Sequence, residues 1–248
     1  MSFICETKSF SINTSISLAI FLLRDPSYEF KIKIIKNLGF KVACIEDRGE
    51  GAELSDLLIN SLYKKTTQNI NELNGPIYNI FRNEFYKERL QLIDKNDANK
   101  ILVSFGGTDP SKSTERVVDM LLSLNIRNFA VLNPPHRNIK DSKYLNWIIQ
   151  GEVNVAKEIN ESRFVISSGG RTVYEANFLK TNSLVICQNE RELSHYCLSL
   201  KSVINLGIYS DLTLSNFTNG ITNITETQNK LFVEDWLSKK EILNLILK

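Results

Sequence analysis

Short apolar runs alternate with segments of helical periodicity over most of the chain. Apolar residues between 26 and 38 recur at helical spacing up to Gly39, and the apolar run 40–45 that follows predicts a strand. The run at 16–23 predicts a further buried strand. Five more apolar runs, separated by segments with helical spacing, predict strands at 101–105, 129–132, 164–166, 183–187 and 203–206. Strands that alternate with helices indicate an α/β protein with a parallel, doubly wound sheet.

The length and a change of composition near the middle predict two domains. The 248 residues exceed the usual size of one domain, ~100–150 residues. Residues 87–99 are charged and poor in large apolar side chains, so we predict a boundary between 1–98 and 99–248. The first domain is predicted to be incomplete, because each βαβ unit takes ~30 residues. The segment from about 226 onward has a helical pattern and is assigned to the second domain.

Composition narrows the classes of function. The formal charge of +2 and the lack of a Lys/Arg stripe interleaved with aromatic residues argue against a nucleic-acid partner. No apolar run reaches the ~18–20 residues that span a bilayer, and the run at 16–23 lacks a small-residue cleavage site after it. The four cysteines show no C-x-x-C pairing, which favours reduced thiols. We therefore expect a cytoplasmic protein without a signal peptide or a transmembrane segment.

Two Gly-Gly loops follow predicted strands of the second domain. In an open α/β sheet, ligands bind outside the carboxyl ends of the strands, and a helix start there offers unpaired backbone N–H groups. Glycine lets the backbone approach a phosphate, and hydroxyls or an arginine add further contacts. The residues of these loops that could contact a diphosphate are Gly106, Gly107, Thr108, Ser168, Gly169, Gly170, Arg171 and Thr172. The alternative is a pair of tight turns in which glycine serves backbone conformation, since neither loop is a Walker A or a G-x-G-x-x-G motif.

Three further polar residues are predicted at the same edge of the sheet. Glu175 lies on the first turns of the helix after the second loop, where its carboxylate can accept hydrogen bonds from a ribose diol. The alternative is an acid favourably placed near a helix N-terminus, worth ~0.3–1 kcal/mol. Gln188 and Asn189 end the next strand and could bind sugar hydroxyls. Their alternative is a polar turn in which Asn189 is a helix N-cap.

These segments resemble the nucleotide-binding half of GT-B enzymes. The similar motifs are ILVSFGGTDP at 101–110, SSGGRTVYEA at 167–176 and QNE at 188–190. They resemble in particular the nucleotide-sugar hydrolase of pseudaminic acid biosynthesis and its spore-coat polysaccharide relatives. MurG-type N-acetylglucosaminyltransferases are more distant. The first half resembles the family more weakly, at RDPSYEF, IEDRG and GPIYNIFRNEF.

The resemblance implies a GT-B-like fold of two Rossmann-like, doubly wound parallel-sheet domains, of which the first is incomplete here. It also implies hydrolysis of a UDP-linked 2,4-diacetamido-2,4,6-trideoxyhexose at the anomeric carbon, with release of UDP and without a metal or cofactor. The UDP-sugar is thus the expected partner. By the same resemblance, Glu175 would hold the ribose, and Gln188 and Asn189 would face the sugar. The diphosphate would be surrounded by Gly106, Gly107, Gly169, Gly170 and Thr172.

The residue that would activate water stays open. The family begins with a G-x-G-H-x-x-R loop whose histidine is thought to do so, and no such motif occurs before residue 100. The histidines present are His136, in a predicted loop, and His195, predicted on a helix with Glu192 at i−3. Asp109, beside the first Gly-Gly loop, is another candidate, although Asp before Pro also favours a turn. Three functions therefore remain: a UDP-sugar hydrolase, a UDP-sugar-dependent glycosyltransferase, and a nucleotide-sugar-binding protein without activity.

Overall fold

The computed structural model describes residues 18–21, 28–47, 49–64, 71–107, 109–133, 142–149, 151–226 and 232–247. Thr108, His136 and half of the predicted strand 16–23 lie outside these ranges. The described residues fall into two compact units. One comprises Met1–Ile80 with Trp236–Lys248, and the other comprises Phe81–Asp235.

The first unit contains a four-stranded parallel sheet with strand order β1-β2-β3-β4. Its elements up to the last strand are β1 (Leu18–Phe21), α1 (Tyr28–Asn37), β2 (Lys41–Ile45), α2 (Glu50–Leu54), β3 (Leu57–Asn60) and β4 (Glu72–Asn74). Helix α1 ends where Gly39 adopts a left-handed φ of +82°, which confirms the predicted stop. Strand β4 was predicted as loop, because two of its three residues are polar and its pairing with β3 is what makes it a strand.

The second unit contains a five-stranded sheet, entirely parallel, with strand order β6-β5-β7-β8-β9. All five strands predicted for this part of the chain are present. Its elements are α3 (Asn83–Arg89), β5 (Lys100–Ser104), α4 (Ser113–Ser123), β6 (Phe129–Val131), α5 (Ser142–Leu145), α6 (Val155–Asn160), β7 (Ser162–Ser167), α7 (Arg171–Phe178), β8 (Asn182–Cys187), α8 (Glu190–Leu193), β9 (Val203–Ile208) and α9 (Leu214–Glu226). The last helix of the chain, α10 (Lys239–Leu247), belongs to the first unit. The predicted parallel α/β architecture is confirmed.

The C-terminal helix packs on the first sheet. Ile242 and Ile246 of α10 are buried against Ala43, Ile45 and Ile59 of β2 and β3. Successive residues of a strand point to opposite faces, so the other face of β2 packs in a separate cluster. That cluster contains Ile32, Val42, Cys44, Ala52 and Leu58. The helices after residue 226 were predicted in the second domain, whereas α10 belongs to the first unit.

The division between the units differs from the boundary predicted at 98/99. Phe85 and Glu88 of α3 are buried within the second unit. Phe81 stacks on Phe178 of α7 with ring centroids 4.2 Å apart, and the Arg89 guanidinium lies 5.3 Å from the same ring. The charged segment 87–99 is therefore the end of α3 and the turns after it, and it lies within the second unit.

Two helices differ from their predicted positions. The helix predicted at about 190–200 consists of the four-residue α8 and a 3₁₀ turn at Tyr196–Ser199. Helix α9 was not predicted because its sequence is rich in Asn and Thr, yet Phe217, Gly220 and Ile224 form its buried face. None of the described helices is long and apolar enough to cross a membrane.

Candidate functional site

The loops chosen from the sequence follow β5, β7 and β8, which are neighbours in the middle of the second sheet. Because all three strands are parallel, their carboxyl ends lie at the same edge. The order of strands reverses here, since β6 flanks β5 on one side and β7 flanks it on the other. The two Gly-Gly loops therefore lie at the topological switch point, which is where open α/β sheets bind ligands.

The first loop contains two glycines with different roles. Gly106 has a left-handed φ of +78°, so backbone conformation explains the glycine there. Gly107 lies outside the left-handed region, and a Cβ at this position would meet no atom within 4 Å. Both residues are exposed. Neither conformation nor packing among the described residues explains Gly107, whereas the close approach of a ligand to the backbone would.

Asp109 caps the helix that follows the first loop. Its carboxylate accepts hydrogen bonds from the backbone N–H groups of Ser113, at 2.9 Å, and Thr114, at 3.1 Å. It also accepts one from the Thr114 hydroxyl at 2.6 Å, and the residue is 1% exposed. This arrangement gives the side chain a structural role at the start of α4. The candidate base Asp109 is thus engaged in holding a helix.

The second loop leaves backbone N–H groups available at the start of α7. The Gly170 N–H donates to the Ser168 carbonyl at 2.8 Å, and the Val173 N–H donates to the Gly170 carbonyl at 3.2 Å. The N–H groups of Arg171 and Thr172, between these two bonds, have no acceptor among the described residues. A helix start of this kind, with a partial positive charge, binds anions.

Gly169 is held by two side chains of the segment that follows β8. Its N–H donates to Glu192 Oε2 at 3.1 Å, and its carbonyl oxygen is hydrogen-bonded to Nδ1 of His195. A Cβ at this position would lie 3.3 Å from Cys187 Sγ and from the Cβ and carbonyl oxygen of Glu192. Close packing therefore favours glycine at this position, and its N–H is already hydrogen-bonded.

Glu175 lies on α7, one turn after Arg171, with its side chain 19% exposed. Burial raises the pKa of this carboxyl to about 7, although Arg82 and Arg171 act in the opposite direction; Glu84 adds to the increase. The distance from Glu175 Oε1 to Arg82 Nη2 is 3.5 Å. Arg82 was not among the predicted site residues, because only the packing of Phe81 and Phe85 brings this distant segment to α7.

The residues after β8 connect the strand ends. The side-chain Nε2 of Gln188 donates to the Phe105 carbonyl at 3.3 Å, and its buried Oε1 has no hydrogen-bond partner among the described residues. Asn189 is exposed, and its Oδ1 accepts from the Glu192 N–H at 3.2 Å. The N-cap alternative for Asn189 is therefore present in the structure, while Gln188 reaches the first Gly-Gly loop.

His195 and Glu192 lie behind the second loop. His195 follows α8 and is 4% exposed, so the expectation of a histidine on a helix is wrong. Its contact with the Gly169 carbonyl requires the proton on Nδ1. Glu192 is 9% exposed and was considered from the sequence only as a partner for His195. Its bonds to backbone N–H groups come from tertiary contacts that spacing does not reveal.

No group of three His, Cys, Asp or Glu side chains in the described part of the chain could hold a metal ion.

Comparisons with known proteins agree with part of the resemblance. No family model matches the chain. It is 34% identical over 146 residues to the uncharacterised protein MJ1062 of Methanocaldococcus jannaschii, covering 52% of this chain and 30% of that protein. It is 25% identical over 216 residues to the spore coat polysaccharide biosynthesis protein SpsG of Bacillus subtilis, covering 80% and 62%. The chain thus spans less than two-thirds of the length of these relatives.

Two solved structures share the fold. The UDP-GlcNAc 2-epimerase of Methanocaldococcus jannaschii superimposes with a TM-score of 0.55 at 13% identity, covering 93% of this chain and 76% of that one. A structure of that epimerase in complex with UDP-GlcNAc and UDP gives 0.59 at 9% identity, covering 93% and 74%. The fold is GT-B-like, with two parallel-sheet α/β units, as predicted. The similarity to SpsG confirms the resemblance to spore-coat polysaccharide proteins.

Proposed function

We propose that this chain binds a UDP-linked sugar at the carboxyl edge of the second sheet, with the diphosphate on the first turn of α7. The observation that carries the proposal is that the N–H groups of Arg171 and Thr172, at the topological switch point, have no acceptor in the described part of the chain. The α7 dipole, the Arg171 guanidinium and the Thr172 hydroxyl add favourable contacts for an anion. Gly107 and Gly170, which carry no side chain to block the backbone, complete the phosphate site.

The nucleoside and the sugar are assigned to the neighbouring side chains. Glu175, one turn along α7, would accept hydrogen bonds from the ribose diol. Gln188, whose Oε1 has no partner among the described residues, would accept one from a sugar hydroxyl or amide. The structural neighbour whose complex contains UDP-GlcNAc and UDP supports this class of ligand.

The proposed reaction is hydrolysis of the anomeric C–O bond. The oxygen of water bonds to the anomeric carbon and loses one proton to solvent, while the bond to the diphosphate oxygen breaks and its electron pair leaves with UDP. The α7 N–H groups and Arg171 would stabilise the charge on the departing diphosphate. Following the resemblance, we propose a 2,4-diacetamido-2,4,6-trideoxyhexose as the sugar and nonulosonic acid biosynthesis as the context. The polysaccharide role in the name of SpsG supports that context.

Binding without turnover is the second candidate. Of the residues considered as bases from the sequence, His136 lies outside the described residues. Asp109 and His195 both serve the backbone: the first holds the N–H groups at the start of α4, and the second holds the Gly169 carbonyl. General-base catalysis typically increases a rate 10²–10⁴-fold. A chain without a base would therefore bind a UDP-sugar but hydrolyse it very slowly.

Calorimetry with UDP and a coupled assay of UDP release test these proposals together. Arg171→Gln should weaken UDP binding several-fold, because it removes one cation from the phosphate site. Arg163→Gln is the matched control, since Arg163 lies near the amino end of β7, at the opposite edge of the sheet. Absence of UDP binding by the natural chain would contradict the proposal. Release of UDP in water alone supports hydrolysis, release only with an added sugar or lipid acceptor indicates a glycosyltransferase, and binding without release indicates the second candidate.

A further inference from the structure

We propose that Glu192 and His195 are positioning residues that hold the Gly169 backbone, and through it present the α7 N–H groups to the diphosphate. The inference rests on the proposed function, because it assigns how that phosphate site keeps its shape. Both residues belong to the short segment after β8, and neither is assigned to contact the ligand.

Glu192 joins the ends of two neighbouring strands. One carboxylate oxygen, Oε2, accepts the N–H of Gly169 after β7 at 3.1 Å and the N–H of Gln188 after β8 at 2.9 Å. The Asn189 side chain in turn holds the Glu192 N–H at 3.2 Å. A carboxylate that is only 9% exposed needs such donors, and charge-assisted bonds of this kind are about twice as strong as neutral ones.

His195 holds the next peptide unit. Its Nδ1 donates to the Gly169 carbonyl, and its own N–H donates to the Glu192 carbonyl at 3.1 Å. Glu192 therefore fixes the peptide between Ser168 and Gly169, while His195 fixes the one between Gly169 and Gly170. Arg171 comes directly after Gly170, so rotation of either peptide would move the N–H groups at the start of α7.

Packing alone does not explain these two side chains. Helix α8 has four residues, and its buried residue is the charged Glu192. An apolar side chain would fill the same volume but leave two buried N–H groups without this acceptor. Glycine is the residue with the greatest backbone freedom, so a Gly-Gly loop needs outside contacts to be rigid before the ligand arrives.

Matched substitutions distinguish a role of these residues in positioning the loop from a role in the stability of the fold alone. Glu192→Gln keeps an oxygen acceptor, and His195→Asn keeps an N–H donor near the position of Nδ1. Glu192→Leu and His195→Leu remove the bonds. Glu190→Gln is the control, because Glu190 is exposed on the same helix. Thermal melting identifies which variants are folded, and calorimetry with UDP and amide NMR spectra of Arg171 and Thr172 are then recorded.

We expect both leucine variants to lose UDP affinity by tenfold or more and to shift the amide signals of Arg171 and Thr172 before UDP is added. The Gln and Asn variants should stay within about threefold of the natural chain, which is the rescue expected of positioning. Unchanged affinity and unchanged amide signals in a folded leucine variant would overturn the inference. If Glu192→Leu does not fold, His195→Leu and the two conservative variants decide it. Failure of the natural chain to bind UDP would contradict the proposed function, while the amide signals would still show whether the two residues hold the loop.

Discussion

Glu175 lies where charged side chains from two segments meet. Arg82 and Arg171 favour its ionised form, whereas burial and Glu84 favour the protonated form. Burial is the largest of these effects, so the pKa rises from the usual 4.5 of a glutamate to about 7. Near neutral pH the carboxyl is therefore close to half ionised, and its charge becomes sensitive to small changes around it.

Affinity for a UDP-sugar should increase as the pH rises through about 7. An ionised Glu175 accepts ribose hydroxyls about 1 kcal/mol more strongly than a neutral acceptor, which corresponds to about fivefold in affinity. Glu175→Gln should bind with little pH dependence. A UDP-sugar is the right ligand, since each of its phosphates carries one ester and one anhydride bond and therefore has no proton that titrates in this range. Calorimetry at pH values on both sides of 7 measures the effect, and Glu161→Gln, at the amino edge of the sheet, is the control. A pH-independent affinity of the natural chain would contradict the role of Glu175.

The neighbours of Glu175 should move this pH dependence in opposite directions. Arg82→Gln removes a cation at 3.5 Å and should raise the pKa of Glu175, so that binding strengthens only at higher pH. Glu84→Gln removes an anion and should lower that pKa, so that binding strengthens at lower pH. NMR titration of the Glu175 side-chain carboxyl carbon gives the two midpoints directly. Equal midpoints in both variants would mean that neither Arg82 nor Glu84 acts on Glu175 in solution.

The two glycines of the first loop should respond differently to alanine. Gly106→Ala places a side chain at a left-handed φ of +78° and should cost ~1 kcal/mol of unfolding free energy. Gly107→Ala meets no atom within 4 Å and should leave stability nearly unchanged, yet weaken UDP binding because a methyl group then faces the ligand. Urea denaturation and calorimetry separate the two effects. If Gly107→Ala binds UDP as well as the natural chain, the ligand does not approach this part of the backbone.

At the scale of single elements, the start of α4 depends on Asp109. Asp109→Ala removes the acceptor for two N–H groups and should lower the unfolding free energy by ~0.5–2 kcal/mol. Asp109→Asn keeps a capping oxygen and should lose less. The rate of UDP release by the folded protein should stay the same in both variants. A large loss of rate with normal stability in Asp109→Asn would instead identify Asp109 as the base.

The elements that could be predicted from the sequence are those whose own residues show a strand or helix pattern or a turn residue that ends one. Strand β5, with its apolar run and following glycines, is an example, and so is the stop of α1 at Gly39. Helix α9 could not be predicted, because its Asn and Thr residues are poor helix formers and only burial of Phe217 and Ile224 stabilises it. The break after α8 depends likewise on a tertiary contact, the bond from His195 to the Gly169 carbonyl.

At the scale of the whole molecule, the arrangement of the candidate site followed from the sequence better than the division of the chain. Three loops on neighbouring parallel strands must meet at one edge, so Gly107, Arg171 and Gln188 could be grouped from pattern alone. The units could not be delimited in that way, because α10 returns to the first sheet from the far end of the sequence. The same limit applies to Glu192, whose buried contacts with two backbone N–H groups have no counterpart in spacing.

The return of α10 predicts that substitutions near the C-terminus loosen a sheet formed near the start of the chain. Ile242 is 1% exposed and packs with Ala43, Ile45 and Ile59. Ile242→Ala should cost ~2–5 kcal/mol, the usual range for removing a buried isoleucine side chain to alanine. Because that cost falls on the first unit, the backbone amides of β2 and β3 should exchange hydrogen faster in the variant than in the natural chain. The amides of β5 and β7 should show a smaller increase. Leu243→Ala, on the same helix but 45% exposed, should change little. Hydrogen exchange measured by mass spectrometry resolves the two sheets, and equal acceleration in both would show that the two units unfold as one.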